Sequence, residues 1–114
     1  MLALSSHLRY FICCKPIDMR KGFDGLAGIV RDEMKQNPLD GGVYIFLNKS
    51  LTHIKLLYWD GDGFALFYKR LEKGRYAMPA HCGVSKLLAR DALLMLLEGL
   101  SIDNMIKKKR YKLQ

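Results

Sequence analysis

The residues whose types and spacing most suggest chemistry are two aspartates that alternate with glycines in the stretch Asp60-Gly61-Asp62-Gly63. Acids at this spacing occur in calcium loops, and glycine-rich turns occur in phosphate-binding loops. An EF-hand loop also needs an oxygen ligand, a glycine and a glutamate where this chain has Phe64, Ala65 and Leu71. A dinucleotide fingerprint needs a third glycine, and Leu66 stands there. We therefore predict a tight turn in which glycines take positive φ and the aspartates bond to local backbone.

The other acids and histidines do not form a catalytic pattern. Transposases and nucleases of the common kind hold two metal ions with clustered carboxylates, whereas the remaining acids of this chain are scattered. His7, His53 and His81 do not have the spacing of metal ligands and have no obvious nucleophile as a partner. We predict that the protein is not an enzyme, has no catalytic residues and uses no metal or other cofactor.

The length and composition favour a single small domain. The chain has 114 residues, half of them hydrophobic, which is enough for one modest core. It has neither an apolar run of roughly 20 residues for a membrane span nor a signal sequence, so we expect a cytoplasmic protein. Its three cysteines suit neither a disulfide framework nor a paired zinc site, and we expect reduced thiols.

The positive charge is concentrated at the C-terminus. The net charge is +8, and five of the bases are Lys107, Lys108, Lys109, Arg110 and Lys112. We therefore divide the chain into a domain over residues 1–104 and a basic tail over residues 105–114. Such a tail either contacts phosphate, where counterion release supplies affinity, or is a solvated terminus that aids solubility. Composition leaves both interpretations open.

Hydrophobic periodicity predicts an α+β fold. Strands are expected at residues 10–14, 43–48, 53–59 and 64–70, and apolar positions at helical spacing predict a helix over residues 23–36. Residues 85–88 form either a short strand or the start of a second helix, which ends at Glu98-Gly99. We expect an antiparallel meander sheet of about four to five strands with two helices.

Consecutive hairpins fix a register for this meander. Symmetry about the two loops sets Trp59 opposite Phe64 and Lys55 opposite Tyr68. One face of the sheet is then chiefly aliphatic and the other chiefly aromatic with one lysine. We expect the first helix to cover the aliphatic face. The aromatic face is either a docking surface or a second core layer under the leucine-rich segment or the first strand.

Several motifs together resemble one protein family. They are Asp18-Met19-Arg20-Lys21, Phe23-Asp24-Gly25-Leu26, Leu57-Tyr58-Trp59-Asp60-Gly61-Asp62-Gly63-Phe64, Tyr68-Lys69-Arg70-Leu71-Glu72-Lys73-Gly74 and Leu96-Leu97-Glu98-Gly99. In this order they resemble the TnpB accessory protein, the second reading frame of insertion-sequence-66-type bacterial transposable elements. The resemblance implies a role in transposition beside a larger transposase and a second small accessory protein. It implies no catalytic residues.

Two function classes follow. In the first, the protein binds element DNA, with bases on phosphate and Trp59 or Tyr68 stacked on exposed bases. The candidate nucleic-acid-binding residues are Arg20, Lys21, Lys55, Trp59, Tyr68, Lys69, Arg70, Lys73, Arg75, Lys107, Lys108, Lys109, Arg110 and Lys112. In the second, the aromatic face docks on the transposase or on another copy as an oligomer, without contacting DNA. For Arg20 the alternative is an ion pair with Asp18 or Asp24 that holds the loop.

Overall fold

The chain forms a five-stranded sheet with one helix on each face. We describe a computed structural model over residues 4–80 and 83–99. In chain order its elements are β1 (Tyr10–Cys13), α1 (Phe23–Asp32), β2 (Val43–Leu47), β3 (His53–Trp59), β4 (Phe64–Arg70), β5 (Ser85–Leu88) and α2 (Arg90–Glu98). The strand order across the sheet is β4-β3-β2-β1-β5. The expected α+β class is therefore confirmed.

The sheet is mixed, so the prediction of a purely antiparallel meander is wrong. Strands β2, β3 and β4 do form antiparallel hairpins, with Trp59 opposite Phe64 and Lys55 opposite Tyr68 as expected. Strand β1 instead lies parallel to β2, with Tyr10 beside Val43. The reason is the intervening helix α1, because a strand-helix-strand crossover returns the chain in the same direction. Strand β5 then pairs antiparallel with β1 at the far edge.

The two helices cover the faces opposite to those expected. On α1, Leu26 and Val30 are buried against Tyr44, Phe46 and Leu57 on the aromatic face. On α2, Leu93 and Leu96 belong instead to the core on the aliphatic face. Alternation along a strand decides which residues share a face, but it does not decide which helix covers that face. We call the two sides of the sheet the α1 face and the α2 face.

The element ends follow local backbone rules. Helix α1 stops at Asp32, four residues before the expected end, and Lys35 has a φ of 57°. Residues 85–88 are a strand, which settles the alternative left open by the sequence. Helix α2 ends at Gly99, whose φ of 73° gives the glycine C-cap that was expected.

Two further expectations concern the thiols and the membrane. Cys13 is free and buried, but Cys14 is disulfide-bonded, so the prediction of reduced thiols is wrong for Cys14. Neither helix in the described ranges has the length and apolar character needed to cross a bilayer.

Candidate nucleic-acid interface

A buried lysine connects the sheet to the loop before α1. Lys55 lies in the middle of β3 on the α1 face, and only 6% of its surface is exposed. Its Nζ donates hydrogen bonds to the carbonyl oxygens of Met19, at 2.7 Å, and Lys21, at 3.0 Å. The same Nζ lies 4.6 Å from the centre of the Tyr68 ring on β4. Lys55 thereby fixes residues 18–21 beside the end of the β3–β4 hairpin.

These contacts change the role expected of Lys55. A buried ammonium group is costly unless hydrogen-bond acceptors replace its water, and two carbonyls and an aromatic ring do so here. The ammonium points into the protein and is engaged there. We therefore remove Lys55 from the candidate phosphate contacts and assign it the positioning of the loop that carries Arg20 and Lys21.

The loop itself is held by Asp18. Its Oδ1 accepts a hydrogen bond from the backbone N–H of Arg20 at 2.8 Å, and its Oδ2 accepts one from Nη2 of Arg20 at 2.7 Å. Hydrogen bonds from Arg20 lower the pKa of Asp18 to about 2. Of the two partners considered for Arg20, the structure shows Asp18. The Arg20 side chain is still 92% exposed, and a guanidinium has five N–H donors, so it can bind phosphate on its outer side.

A second polar cluster, which the sequence analysis missed, lies at the β2–β3 turn. Oδ1 of Asn48 accepts hydrogen bonds from the backbone N–H groups of Thr52, at 2.9 Å, and His53, at 3.0 Å. This orientation makes Nδ2 of Asn48 a donor, and it lies 3.1 Å from Nδ1 of His53. Nδ1 of His53 therefore accepts a hydrogen bond in this contact. The sequence did contain a pattern that could have indicated this cluster. Four polar residues lie close together around one turn: Asn48, Ser50, Thr52 and His53.

The loop and the turn enclose an open cleft and form one surface. The cleft has a volume of about 790 Å³ and is lined by residues 16–19, residues 48–50 and His53. Beside it, the His53 and Tyr68 rings lie 5.9 Å apart, and Arg70 is directly opposite His53 in the sheet. We call this surface the basic-aromatic corner. Its residues are Arg20, Lys21, Lys49, His53, Tyr68 and Arg70.

Comparison with known proteins identifies the family of the chain. The family described as IS66 Orf2-like protein matches residues 8–107. The chain belongs to the IS66 Orf2-like family. This membership associates it with IS66-type transposition, in an accessory role, as the resemblance of its motifs implied.

Two relatives of this IS66 Orf2-like chain come from Sinorhizobium fredii strain NGR234. The uncharacterized protein y4hO is 37% identical over 100 residues, which cover 88% of this chain and 87% of the relative. The uncharacterized protein y4jC is 28% identical over 108 residues, which cover 95% and 92%. Their descriptions state no activity. No solved structure matches the chain.

The other candidate residues of the IS66 Orf2-like chain lie away from the corner. Trp59 is at the opposite end of β3, about 13 Å from Tyr68 along the strands, and packs edge-on against Phe64. Lys69 points to the α2 face, where its Nζ lies 3.3 Å from the carbonyl oxygen of Leu97. Lys73 and Arg75 are exposed in the segment after β4. The candidates Lys107, Lys108, Lys109, Arg110 and Lys112 lie outside the described residues.

The aspartate-glycine stretch is a turn. Gly61 has a φ of 86°, and the backbone N–H of Asp60 donates to the carbonyl oxygen of Gly63 at 2.8 Å. Positive φ occurs at Gly61 and not at Gly63, so the expected positive φ is found at one of the two glycines. Among residues 4–80 and 83–99, no three His, Cys, Asp or Glu side chains are grouped so that they could hold a metal ion.

Proposed function

We propose that this protein is a non-catalytic accessory protein that binds element DNA through the basic-aromatic corner during IS66-type transposition. The observation that supports this most is the pair of hydrogen bonds from Lys55 to the carbonyls of Met19 and Lys21. These bonds hold the backbone of the loop that carries the two exposed bases, Arg20 and Lys21, close to the Lys55 ammonium beside Tyr68. A site with fixed bases and an exposed ring is more specific than a solvated run of lysines.

The chemistry of the corner suits a nucleic acid with some unpaired bases. Arg20, Lys21, Lys49 and Arg70 supply positive charge for phosphate contacts, which release counterions. Tyr68 is 52% exposed on the α1 face of β4, where a base can stack on its ring. His53 lines the cleft and adds a polar side chain there. The transposase and the second small accessory protein are the proposed protein partners.

Fluorescence anisotropy of labelled element-end DNA with the purified protein tests this proposal. The titrations use duplex and single-stranded forms and are repeated at several salt concentrations. We expect Arg20→Gln with Lys21→Gln to weaken binding by about tenfold or more and to lower the salt slope by roughly two units on duplex DNA. The fold should be retained, because both side chains are exposed.

The matched control removes two exposed lysines elsewhere. Lys35 follows α1, and Lys86 lies on β5 at the other side of the sheet. Lys35→Gln with Lys86→Gln changes the net charge equally, but it should affect binding much less. Equal weakening by both pairs would show attraction by net charge alone and would contradict a site at the corner.

A second candidate function is that of a docking subunit that does not touch DNA. Its specific support is an apolar groove of about 410 Å³ between β5, α2 and the segment around Pro79, beside the exposed side chains of Leu87 and Met95. The same anisotropy experiment separates the two functions. Absence of binding to both DNA forms at low salt, with a folded protein, would favour docking.

A further inference from the structure

Among residues 4–80 and 83–99, strand β4 is at the edge of the sheet, and no described strand pairs with its outer row of backbone groups. The backbone N–H of Asp60 donates to the carbonyl oxygen of Gly63, and that of Leu71 donates to the carbonyl oxygen of Thr52. The pairs 60–63 and 52–71, at the two ends of the hairpin, are therefore both hydrogen-bonded pairs of the same register. Hydrogen-bonded pairs alternate along an antiparallel ladder. Residues 63, 65, 67, 69 and 71 therefore face β3. The N–H and C=O groups of residues 64, 66, 68 and 70 point away from the sheet.

Among the described residues, this edge has only part of the usual protection against pairing. Natural edge strands are commonly short or carry prolines, bulges or charged side chains, especially lysine. The charged side chains of β4 are confined to its end, at Lys69 and Arg70. Strand β4 has seven residues, pairs with β3 without a bulge and contains no proline. Two of its aromatic side chains are exposed, Phe67 at 41% and Tyr68 at 52%. The opposite edge strand, β5, has only four residues.

We propose that β4 pairs antiparallel with β4 of a second copy of this chain, with Phe67 opposite Phe67 of that copy. This register pairs all seven residues of the strand. It also joins outward-pointing residues only to outward-pointing residues, 64 to 70 and 66 to 68, so every open N–H and C=O group gains a partner. If the two-fold axis is moved by one residue in either direction, residues at one end of β4 extend beyond the end of the other copy's β4 and have no partner there.

The side chains are self-complementary in this register. Arg70 lies opposite Phe64 of the second copy, Tyr68 opposite Leu66, and Lys69 opposite Ala65. Cation-aromatic and aromatic-aliphatic neighbours across strands are favourable, and no two like charges are directly opposed. The two Phe67 side chains meet on the axis, where their exposed surface is covered. This complementarity favours a second copy over an unrelated strand.

The pairing goes beyond the proposed function and does not depend on it. Residues paired across strands lie on the same face, so the two basic-aromatic corners would share one side of a continuous sheet. The net charge of +8 on each chain opposes association at long range, and salt screens this repulsion. Dimerisation should therefore strengthen with added salt, whereas phosphate contacts weaken.

Symmetric cross-linking tests the register. In a non-hydrogen-bonded antiparallel pair the Cα atoms lie about 4.5 Å apart, within the range of a disulfide. Under mild oxidation we expect the full-length Phe67→Cys variant to form a covalent dimer. Ala65→Cys should not, because two copies of that residue would be separated by about 13 Å. Ala65→Cys mixed with Lys69→Cys should form the heterodimer. The wild type, with its native cysteines, gives the background.

Disruption on the two edges tests which strand is used. Phe67→Lys places two charges on the axis, and we expect the dimer dissociation constant from sedimentation to rise by about tenfold or more. The matched control, Leu87→Lys on β5, should leave it unchanged. Circular dichroism melting checks that both variants fold. A dimer lost with Leu87→Lys but kept with Phe67→Lys would overturn the proposal.

Amide exchange supplies an independent outcome. We expect the amides of residues 64, 66, 68 and 70 to become protected as protein concentration and salt increase. A protein that stays monomeric at every concentration tested would refute the pairing. So would protection of these amides that is independent of concentration and is lost when residues 100–114 are removed, because that result would identify a segment of the same chain on the edge.

Discussion

The two ends of the β3–β4 hairpin are held by different kinds of contact. At the turn end, backbone suffices, because Gly61 takes positive φ and Asp60 bonds to Gly63 across the turn. Towards the other end, the contact is made by a side chain. Lys55 of β3 donates hydrogen bonds to the carbonyls of Met19 and Lys21, which are 36 and 34 residues away in the sequence. The first end is a local structure and the second depends on tertiary contacts.

This difference indicates where function and stability are coupled. Substitutions in a local turn affect only that turn, as long as its backbone angles are allowed. Substitution of Lys55 removes the support of residues 18–21 and thus affects the surface that carries Arg20 and Lys21.

Lys55→Met should have the largest effect on both stability and binding. Met fills similar space but cannot bond to the carbonyls of Met19 and Lys21. Because hydrogen bonds to charged groups contribute more than neutral ones, and recovered desolvation offsets part of this, we expect a loss of about 2 kcal/mol. Thermal unfolding should show a midpoint lowered by about 10 °C. DNA affinity should fall further than one lost charge explains.

Lys69→Met is the matched control for this variant. It removes the same charge one strand away, from an exposed side chain whose contact to Leu97 is long, at 3.3 Å. We expect less than about 0.5 kcal/mol of destabilisation. Similar melting curves for the Lys55 and Lys69 variants would contradict the positioning role of Lys55.

Arg20→Ala with Lys21→Ala should abolish transposition while the protein still folds. Both side chains are exposed, and the carbonyl of Lys21 that bonds to Lys55 is kept in an alanine variant. A transposition assay in cells and a melting curve of the purified variant give the two readouts. A large drop in the melting midpoint would indicate that Arg20 mainly holds the loop, and full transposition activity would contradict both roles.

Asp18→Asn separates these roles further. It removes the ion pair with Arg20 but keeps both bases of the loop. If the bases act on phosphate, transposition should be largely retained in this variant. If the ion pair with Arg20 is what matters, Asp18→Asn should be as defective as the double alanine variant.

The hairpin registers could be predicted from the sequence, but their surroundings could not. Alternation and loop symmetry fixed the pairing of Trp59 with Phe64, because a shift by one residue exchanges the faces. Both faces are apolar, so no pattern revealed which helix covers Tyr44 and Phe46. The sequence indicated Lys55 only as a base that could contact phosphate. Its hydrogen-bond acceptors are backbone carbonyls of a distant loop, and because every residue type has a backbone carbonyl, the sequence could not reveal them.

Removal of residues 107–114 should reduce DNA binding without abolishing transposition. The five bases of this segment lie outside the described residues, so their contribution stays a prediction. Counterion release predicts that the salt slope on duplex DNA falls by up to about four units, equally for all sequences. Anisotropy titrations of the truncated and full-length chains measure the slope. An unchanged salt slope would show that residues 107–114 do not contact phosphate.

The ion pair between Asp18 and Arg20 predicts a pH dependence confined to acid. The pKa of Asp18 is lowered from 3.8 to about 2, so the carboxylate favours the folded loop above about pH 4. This contribution is lost as the pH falls through about 2. Carboxyl chemical shifts followed by NMR should show the low midpoint in the wild type, and Arg20→Ala should return it towards 3.8. A wild-type midpoint near 3.8 would show that the pair is not formed in solution.

Substitutions in the Asp60–Gly63 turn should have the smallest effect. Asp60→Asn with Asp62→Asn should leave the melting midpoint nearly unchanged, because asparagine also tolerates turn geometry. Gly61→Ala should cost about 1 kcal/mol, since the φ of 86° at Gly61 disfavours a Cβ. Gly63→Ala should cost much less, because its φ is not positive and, apart from its chain neighbours, no atom of the described residues lies within 4 Å of the new Cβ position. Tight binding of magnesium or manganese by the wild type, lost in the double asparagine variant, would overturn the interpretation of this end as a turn alone.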